Sequence, residues 1–386
     1  MSQRPQRMLS ELNLSGTELT GDATITDIVE DSRLAETGSA FLCLPRAENR
    51  ARDYALQASK AGASAMILVG QDMPAPPLPC LKVRDMKLAG LVLRRWFGTE
   101  SNTVKIIGIT GTDGKTSIAW MLREGLENLL GSAWSVGTLG WMLSKNEMCS
   151  LKNTTPSLLT MHRLLAVANE AHIPAMVCEV SSHGIAQGRI AGLPFAAVLW
   201  TNLGRDHLQD HGGFEPYAQC KADFISQTVQ QGGLCIINAD DNEVVQRTPG
   251  QSLRYRHTLY SEEEDLGWEQ ELPGTLRLAY RDEEISLNDI PIGEFHSENL
   301  AAASLMLIKV FQVTLKNIPA LFKDVSCPPG RLQPVNAGPW MVFIDYAHTP
   351  EAMERCLLTA RTLTHNRLLL VFGCGGERDR SKRPLM

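Results

Sequence analysis

The sequence predicts an α/β protein built around a mostly parallel sheet with helices on both faces. Apolar strand-like runs alternate with segments whose apolar residues recur at helical spacing, and this alternation is typical of parallel sheets. A β-branched run over 104–110 leads through a glycine-rich turn into a helical stretch over about 116–130. The 386 residues, 44% of them hydrophobic and 21% charged, suffice for two to three domains with buried cores.

The first predicted domain covers residues 1–102. It contains apolar strands at 65–69 and 81–83, followed by a helix over 86–97. The polar segment 98–103 contains Gly, Ser, Thr and Asn and therefore indicates a linker.

The second predicted domain, 103–329, begins with the strand over 104–110 and carries the rest of the parallel sheet. Its other elements are predicted, in chain order, at 157–171 (helix), 175–180 (strand), 196–201 (strand), 215–230 (helix), 234–238 (strand) and about 298–311 (helix). Residues 252–294 combine short β-like pieces with acidic turns, so we predict an antiparallel patch at one sheet edge there.

The third predicted domain, 330–386, contains a strand over 341–345, a helix over 351–363 and a strand over 367–372. These elements predict one βαβ unit. A lone unit of this kind leaves a sheet edge unpaired and buries little apolar surface. We therefore expect a fragment, or the product of a shortened gene, whose third domain is incomplete.

Charge, hydropathy and cysteine content exclude several classes of protein. Lys and Arg number 37 against 43 Asp and Glu, and the net charge of −6 argues against a nucleic-acid coat or a polybasic membrane anchor. No apolar run approaches the roughly 20 residues of a membrane span, and the polar start lacks a signal-peptide core. The nine cysteines include no Cys-x-x-Cys pair, so neither a disulfide framework nor a zinc ribbon is indicated. We expect a reduced, cytoplasmic monomer.

The strongest local signal is the glycine-rich segment 108–117, which lies between a predicted strand and a predicted helix. Its glycines would let backbone N–H groups point at phosphate oxygens, and the helix N-terminus adds positive potential. Lys115 would reach the β- and γ-phosphates, and the Thr116 hydroxyl would complete a Mg²⁺ shell. The strict pattern has glycine where Ile109 stands, and the competing interpretation is a strand-to-helix turn with a surface lysine. The predicted ATP contacts in this loop are Gly111, Thr112, Asp113, Gly114, Lys115, Thr116 and Ser117.

Two later segments add side chains suited to magnesium. Glu179 lies at the end of the predicted strand 175–180 and His207 follows the predicted strand 196–201, and the carboxyl ends of parallel strands meet at one sheet edge. A carboxylate and an imidazole there could both face the phosphate loop and hold magnesium ions. Taken alone, a histidine such as His207 is more often a structural residue than a metal ligand.

Seven motifs occur in a characteristic order along the chain. They are Gly111-Thr-Asp-Gly-Lys-Thr116, Asn153-Thr-Thr-Pro156, Glu179-Val-Ser-Ser-His-Gly184, Thr201-Asn-Leu-Gly-Arg-Asp-His207, Gly330-Arg331, Asp345-Tyr-Ala-His-Thr-Pro350 and Gly373-Cys-Gly-Gly-Glu-Arg-Asp379. Together they resemble the Mur ligases, and most of all the branch that adds the third amino acid to UDP-N-acetylmuramoyl-L-alanyl-D-glutamate. The resemblance extends from about Asp31 to the last residue.

The resemblance implies a three-domain fold and an ATP-dependent amide-forming reaction of peptidoglycan precursor synthesis. In this reaction a substrate carboxylate becomes an acyl phosphate, which the amino group of a free amino acid attacks. By motif position, Thr116 and Glu179 would hold the magnesium of ATP, and His207 would hold a second one. Lys221 matches a lysine that reacts with CO₂ to form a carbamate ligand. The alternative for Lys221 is a solvated lysine on a helix surface.

The resemblance also assigns substrate-binding and catalytic residues. Ser32 would contact uridine, and Asn299 would lie near adenine, although the preceding asparagine of the family is His296 here. Arg331 resembles a hinge arginine that reaches the γ-phosphate, and Asp345 and His348 resemble residues that close onto ATP. The positions matching the muramoyl-peptide site are Asn153, Thr154, Thr155, Ser181, Gln187 and Arg189, and the implied catalytic set is Lys115, Lys221, His207, Arg331, Asp345 and His348.

Two departures from the family pattern keep other interpretations open. The loop 46–51 is Arg-Ala-Glu-Asn-Arg-Ala, where the family has Gly-x-x-x-Asp-Gly. The arginines of this loop could bind the diphosphate of the UDP-linked substrate, or they could form a solvated run on the surface. The short third domain would position the incoming amino acid poorly, and the sequence does not identify that amino acid. The alternatives are a folylpolyglutamate-type or cyanophycin-type ligase of the same superfamily, or a non-catalytic nucleotide-binding partner subunit.

Overall fold

The computed structural model describes residues 6–45, 50–70, 78–204, 208–248, 250, 252–259, 265–338, 340–374 and 383–386. Its strands, in chain order, are Arg7–Met8 (β1), Thr17–Thr20 (β2), Thr24–Ile25 (β3), Asp27–Val29 (β4), Ser39–Cys43 (β5), Ala65–Val69 (β6), Cys80–Val83 (β7), Lys105–Thr110 (β8), Trp134–Gly137 (β9), Gly140–Met142 (β10), Met148–Cys149 (β11), Ala175–Glu179 (β12), Phe195–Trp200 (β13), Leu234–Asn238 (β14), Leu253–Arg256 (β15), Leu266–Leu272 (β16), Thr275–Tyr280 (β17), Glu283–Leu287 (β18), Gln333–Ala337 (β19) and Trp340–Ile344 (β20).

The helices, in chain order, are Arg50–Lys60 (α1), Met86–Phe97 (α2), Lys115–Leu130 (α3), Leu158–Glu170 (α4), Ser182–Ala186 (α5), Leu208–His211 (α6), Phe214–Gln230 (α7), Asn242–Arg247 (α8), Glu294–Phe311 (α9), Ile318–Leu321 (α10) and Pro350–Thr362 (α11). Among the described residues, no helix combines the length and the hydropathy that crossing a membrane requires.

The chain forms two compact units. The first contains Met1–Val104, Thr155–Ile173 and His183–Pro194, and the second contains Lys105–Thr154, Pro174–Ser182 and Phe195–Met386. Two segments inside the predicted range 103–329 therefore pack with the N-terminal unit. The division into three domains stays a prediction.

A five-stranded sheet forms the centre of the first unit, in the order β2-β7-β6-β5-β4. β4 to β7 pair in parallel, and β2 adds an antiparallel edge. β5 and β6 are buried along their whole length, as expected for strands covered on both faces. Helix α2 packs against this sheet, and its Gly90 touches the segment around 191 so closely that a Cβ there would lie 2.1 Å from the Ala191 carbonyl oxygen.

An eleven-stranded sheet forms the second unit, in the order β11-β10-β9-β12-β8-β13-β14-β15-β16-β17-β18. The strands from β9 to β16 in this order pair in parallel, which confirms the predicted parallel sheet. β16, β17 and β18 form the predicted antiparallel patch, but β15 pairs in parallel with β14, so that part of the prediction is wrong. Helices α3 and α9 pack together over the central strands.

The predicted βαβ unit of the third domain is wrong in two respects. β20 pairs antiparallel with β19, so these strands form a hairpin. Residues 367–372 form no strand in the described structure. The apolar pattern alone misled the prediction, because a strand also needs a neighbour for its backbone hydrogen bonds, and none of the described strands pairs with this segment. Helix α11 lies where it was predicted.

Candidate active site

The glycine-rich loop between β8 and α3 has the strand–turn–helix context that a phosphate loop requires. Gly111 has φ 146° and Gly114 has φ 85°, and a Cβ on Gly111 would lie 1.8 Å from the Thr201 hydroxyl oxygen. Asn202 Oδ1 accepts hydrogen bonds from the backbone N–H groups of Thr112 (3.1 Å) and Asp113 (2.8 Å). The end of β13 therefore fixes the loop, and two loop amides bind a side chain instead of pointing outward.

Two lysines bind the carbonyl oxygens of this loop. Lys115 Nζ donates to the carbonyls of Gly111 (2.9 Å) and Thr112 (2.7 Å). Lys221 Nζ, from helix α7, donates to the same Gly111 carbonyl at 2.9 Å and lies 3.4 Å from Thr110 Oγ1. The Lys221 side chain is only 1% exposed and lies over the ring of Tyr217 at 4.8 Å. The alternative of a solvated surface lysine is therefore wrong.

The Glu179 carboxylate, at the end of β12, accepts hydrogen bonds from two threonines. It accepts from the hydroxyl of Thr116 at 2.9 Å, and from the backbone N–H (2.9 Å) and hydroxyl (3.0 Å) of Thr138. Gly137 provides the room for this carboxylate, since a Cβ there would lie 2.0 Å from Glu179 Oε1. Neither Gly137 nor Thr138 is among the predicted site residues. Gly137 ends β9 and Thr138 follows it, and both lie beside Glu179 because β9 pairs in parallel with β12.

Arg331, at the start of the third predicted domain, reaches the phosphate loop. Its Nη2 donates to the Thr116 hydroxyl oxygen at 3.3 Å, and its guanidinium lies 4.9 Å from the ring of Tyr346. Asp345 and His348 make local contacts instead. The Asp345 carboxylate accepts from the backbone of Leu332, and the ring of His348 lies 3.1 Å from the Tyr346 carbonyl oxygen.

Helix α9 also approaches the phosphate loop. Asn299 lies so close to Gly114 that a Cβ on this glycine would approach Asn299 Oδ1 to 2.9 Å. His296, one turn earlier, is fully buried, and burial lowers the pKa of its ring to about 4. The helix begins at Glu294, four residues before its predicted start, so both residues lie in its first two turns.

The predicted muramoyl-peptide residues belong to both compact units. In the second unit, Thr154 Oγ1 lies 3.1 Å from Thr138 Oγ1 and so joins the network around Glu179. Asn153 and Ser181 also belong to this unit.

In the first unit, Arg189 donates to the Thr155 carbonyl at 2.8 Å and to the Gln187 side-chain oxygen. Ser32 donates to Gln57 Oε1 at 2.8 Å, a partner that sequence reasoning missed. His207 and the loop residues 46–49 lie outside the described residues.

Comparison with known proteins identifies the family to which a chain with this site belongs. Residues 109–307 match the Mur ligase middle domain, and residues 330–386 match the Mur ligase glutamate ligase domain. The UDP-N-acetylmuramoyl-L-alanyl-D-glutamate–2,6-diaminopimelate ligase of Pseudomonas aeruginosa is 34% identical over 381 residues, which cover 95% of this chain and 76% of that protein. The chain belongs to the Mur ligase family.

Solved structures of Mur ligases support the same fold. A structure of a UDP-N-acetylmuramoyl-L-alanyl-D-glutamate–2,6-diaminopimelate ligase matches with a TM-score of 0.74 and 29% identity, over 94% of this chain and 75% of that chain. The MurF ligase from Thermotoga maritima, solved in complex with ADP, shares the fold with a TM-score of 0.59 and 17% identity, over 86% of this chain and 74% of that chain. The predicted family and α/β fold class are therefore confirmed.

Helix α9 of this Mur ligase also carries a carboxyl group with an unusual pKa. Glu298 accepts from the side-chain amide of Asn238 at 2.7 Å and lies 3.5 Å from the guanidinium of Arg355 on helix α11. Its side chain is 17% exposed, and burial raises its pKa to about 7. The charges of Asp240 and Glu294 act in the same direction as burial, whereas Arg355 opposes it.

We expect Glu298 to make stability fall as pH rises. Its folded-state pKa of about 7 exceeds the ordinary value of 4.5, so its stabilising contribution is complete below pH 4.5 and is lost as pH rises through 7. The loss amounts to about 3 kcal/mol of unfolding free energy, at about 1.4 kcal/mol per pH unit between the two values. Urea unfolding at several pH values between 4.5 and 8 should show a steeper decline for the native chain than for Glu298→Gln. Equal slopes would contradict this prediction.

Proposed function

We propose that this chain is an ATP-dependent ligase that joins an amino acid to UDP-N-acetylmuramoyl-L-alanyl-D-glutamate. The observation that carries the proposal is the convergence of Lys115, Lys221, Glu179 and Arg331 on the phosphate loop around Thr116. The names of relatives at 34% and 32% identity give this nucleotide dipeptide and 2,6-diaminopimelate as the pair that those enzymes join. Diaminopimelate is therefore the first amino acid to test here.

The chemistry explains why such a site needs cations around a phosphate loop. A carboxylate is a poor electrophile, so one of its oxygens attacks the γ-phosphorus of ATP, which releases ADP and leaves an acyl phosphate. The amine of the incoming amino acid then attacks the acyl carbon, and inorganic phosphate departs. Both steps concentrate negative charge on oxygens. Lys115 and Arg331 would stabilise that charge by exchanging their present oxygen partners for phosphate oxygens.

Thr116 and Glu179 fit a magnesium ion. Their hydroxyl and carboxylate oxygens touch at 2.9 Å, and hard oxygen donors of this kind are what Mg²⁺ prefers. A magnesium ion bound there would neutralise part of the phosphate charge. Thr138 holds the Glu179 carboxylate in place through two hydrogen bonds. We propose His207 as a further ligand for a second magnesium ion.

Lys221 fits a carbamate. The neutral amine would attack CO₂ and release a proton, so the nitrogen keeps one N–H that can still donate to the Gly111 carbonyl and gains a carboxylate group whose two oxygens share one negative charge. The carbamate would thus supply a carboxylate-like ligand for the second magnesium ion from a position that solvent scarcely reaches. The proposed substrates, ATP and a UDP-linked precursor, imply a cytoplasmic location, and we propose a monomer without a nucleic-acid partner.

A reconstituted assay tests the function. The purified chain, Mg²⁺, ATP, the UDP-linked dipeptide and diaminopimelate should together release phosphate and yield the amide, detected by mass spectrometry. Omission of any one component should abolish the product. Lysine in place of diaminopimelate tests amino-acid choice, and a folate monoglutamate in place of the nucleotide tests the alternative ligase class. Nucleotide binding without phosphate release would instead support the non-catalytic interpretation.

A further inference from the structure

Arg331 ends a short segment that crosses the predicted domain boundary between residues 329 and 330. Residues 326–331, Ser-Cys-Pro-Pro-Gly-Arg, are called here the linking segment. The segment leads from helix α10 to the hairpin β19–β20, and its last residue donates to the Thr116 hydroxyl oxygen at 3.3 Å. Within the segment, the N–H of Arg331 donates to the carbonyl of Pro328 at 3.1 Å, which forms a tight turn. The position of the guanidinium therefore depends on how the start of the segment is held.

Helix α3 holds that start through Ser326. The Glu124 carboxylate accepts from both the backbone N–H and the hydroxyl of Ser326, each at 3.2 Å, and the indole N–H of Trp120 donates to the same hydroxyl oxygen at 3.3 Å. Glu124 and Trp120 are 7% and 6% exposed, so these bonds are shielded from solvent. Lys145 adds an ion pair to Glu124 at 3.3 Å.

The spacing along helix α3 links this anchor to the phosphate loop. Thr116, Trp120 and Glu124 are four residues apart and therefore lie on one face of the helix. The face that presents the Thr116 hydroxyl thus also binds Ser326, two turns further along. The linking segment begins beside Glu124, at one end of this face, and ends with Arg331 beside Thr116, at the other end.

Helix α9 holds the segment at a second point. The ring of His296 is fully buried, and its Nε2 lies 3.8 Å from the Cys327 thiol sulfur. The backbone of Arg331 acts to raise the pKa of this ring, whereas burial, the larger effect, lowers it. This is the position at which the sequence departs from the asparagine expected from the family resemblance, and here the histidine contacts the linking segment.

We propose that Glu124 and His296 are positioning residues that hold the linking segment so that Arg331 stays beside Thr116. The inference rests on the proposed function for its effect on turnover. The described side-chain hydrogen bonds of Glu124 and His296 reach Ser326 and Cys327 of the linking segment, so each is inferred to act through Arg331. Ser326 is the residue of the linking segment that binds Glu124.

Two variants test the anchor on helix α3. Glu124→Ala removes the acceptor for both Ser326 donors, and Ser326→Ala removes only the hydroxyl and so is the milder change. We expect hydrogen exchange of the amides in 326–332 to accelerate in both variants, more in Glu124→Ala, while exchange in helix α7 is unchanged. Glu147→Ala, at an exposed site, is the matched control. Unchanged exchange in 326–332 in both variants would overturn the proposal.

A double-mutant cycle separates positioning from general destabilisation. Glu124→Ala should lower kcat about 10-fold, the smaller end of the cost of losing a group that orients an active-site residue, with a small change in KM for the dipeptide. Glu124→Gln, which keeps one acceptor, should restore part of the loss. In an Arg331→Ala background, Glu124→Ala should cause no further loss, because both changes remove the same contact.

Equal losses from Glu124→Ala in both backgrounds would overturn the proposal, since the carboxylate would then act on something other than Arg331. The same cycle with His296→Asn tests the second anchor, and independent losses there would remove His296 from the proposal. A native chain that releases no phosphate would disprove the proposed function alone. In that case the exchange of 326–332 still decides whether the linking segment is held as inferred.

Discussion

Replacing Lys221 by alanine is expected to abolish amide formation. The Nζ of Lys221 is buried beside the Gly111 carbonyl, so the variant loses a group in contact with the phosphate loop and, on our proposal, a carbamate ligand as well. Turnover should fall by at least about 10²–10³-fold, the cost of removing one preorganised electrostatic partner of a reacting group. The measurement is phosphate release in the complete assay. Lys316→Ala, at a lysine whose side chain is 73% exposed, is the control and should keep the native rate.

Added bicarbonate distinguishes a carbamate on Lys221 from an unmodified, positively charged lysine. The native chain, prepared free of CO₂, should gain activity when bicarbonate is added, and ¹³C-bicarbonate should give a carbamate carbon signal. Lys221→Ala should show neither response. A native-like rate in Lys221→Ala would disprove a catalytic role, and a native enzyme that is active but gives no carbamate signal would leave the lysine as a cation.

Replacing Glu179 by glutamine is expected to have the second large effect. Glutamine keeps the shape of the side chain but removes its charge, and its NH₂ group would face donors where Glu179 now accepts from Thr116 and Thr138. Two consequences follow. The rate should fall by about 10²–10³-fold with a higher Mg²⁺ requirement, and the unfolding free energy should fall by about 1–3 kcal/mol because buried donors lose their acceptor. Mg²⁺ titrations of phosphate release and urea unfolding measure the two effects.

Gly137→Ala examines the same carboxylate without changing its charge. The new Cβ would lie 2.0 Å from Glu179 Oε1, so the carboxylate must move away from its present partners. The variant should therefore lose activity in the same direction as Glu179→Gln. Full activity in Gly137→Ala would show that this placement of Glu179 is not needed, and Glu147→Gln at an exposed site serves as the control for both.

Much of the fold followed from local patterns. The helices α2, α4 and α7 begin and end within a residue or two of their predicted limits, because apolar periodicity and capping residues such as Asp85 and Gly98 act over a few positions. The predictions failed where pairing was decisive. β15 joined the parallel sheet, and none of the described strands pairs with 367–372.

The candidate site divides in the same way. Motif order brought Lys115, Thr116, Glu179 and Lys221 together, because strands of a parallel sheet end at a shared edge whatever separates them along the chain. Asp345 binds the backbone of Leu332 and Ala347, and the ring of His348 lies beside the Tyr346 carbonyl oxygen, so a role of these two residues at ATP stays a prediction. Sequence order does not specify how closely a distant segment approaches.

The sequence by itself determined the parallel α/β class, the phosphate loop with its lysine and threonine, and the family to which the chain belongs. Tertiary structure alone decided that Gly137 makes room for Glu179, that Gln57 binds Ser32, and that Glu124 and His296 hold the segment carrying Arg331. Helices and turns are stabilised by contacts between residues close in the chain, so a local pattern encodes them. Side chains such as Glu124 and Ser326, about 200 positions apart, meet only after the helices and sheet have packed, and their partners are then set by shape and by the need of buried polar groups for hydrogen bonds.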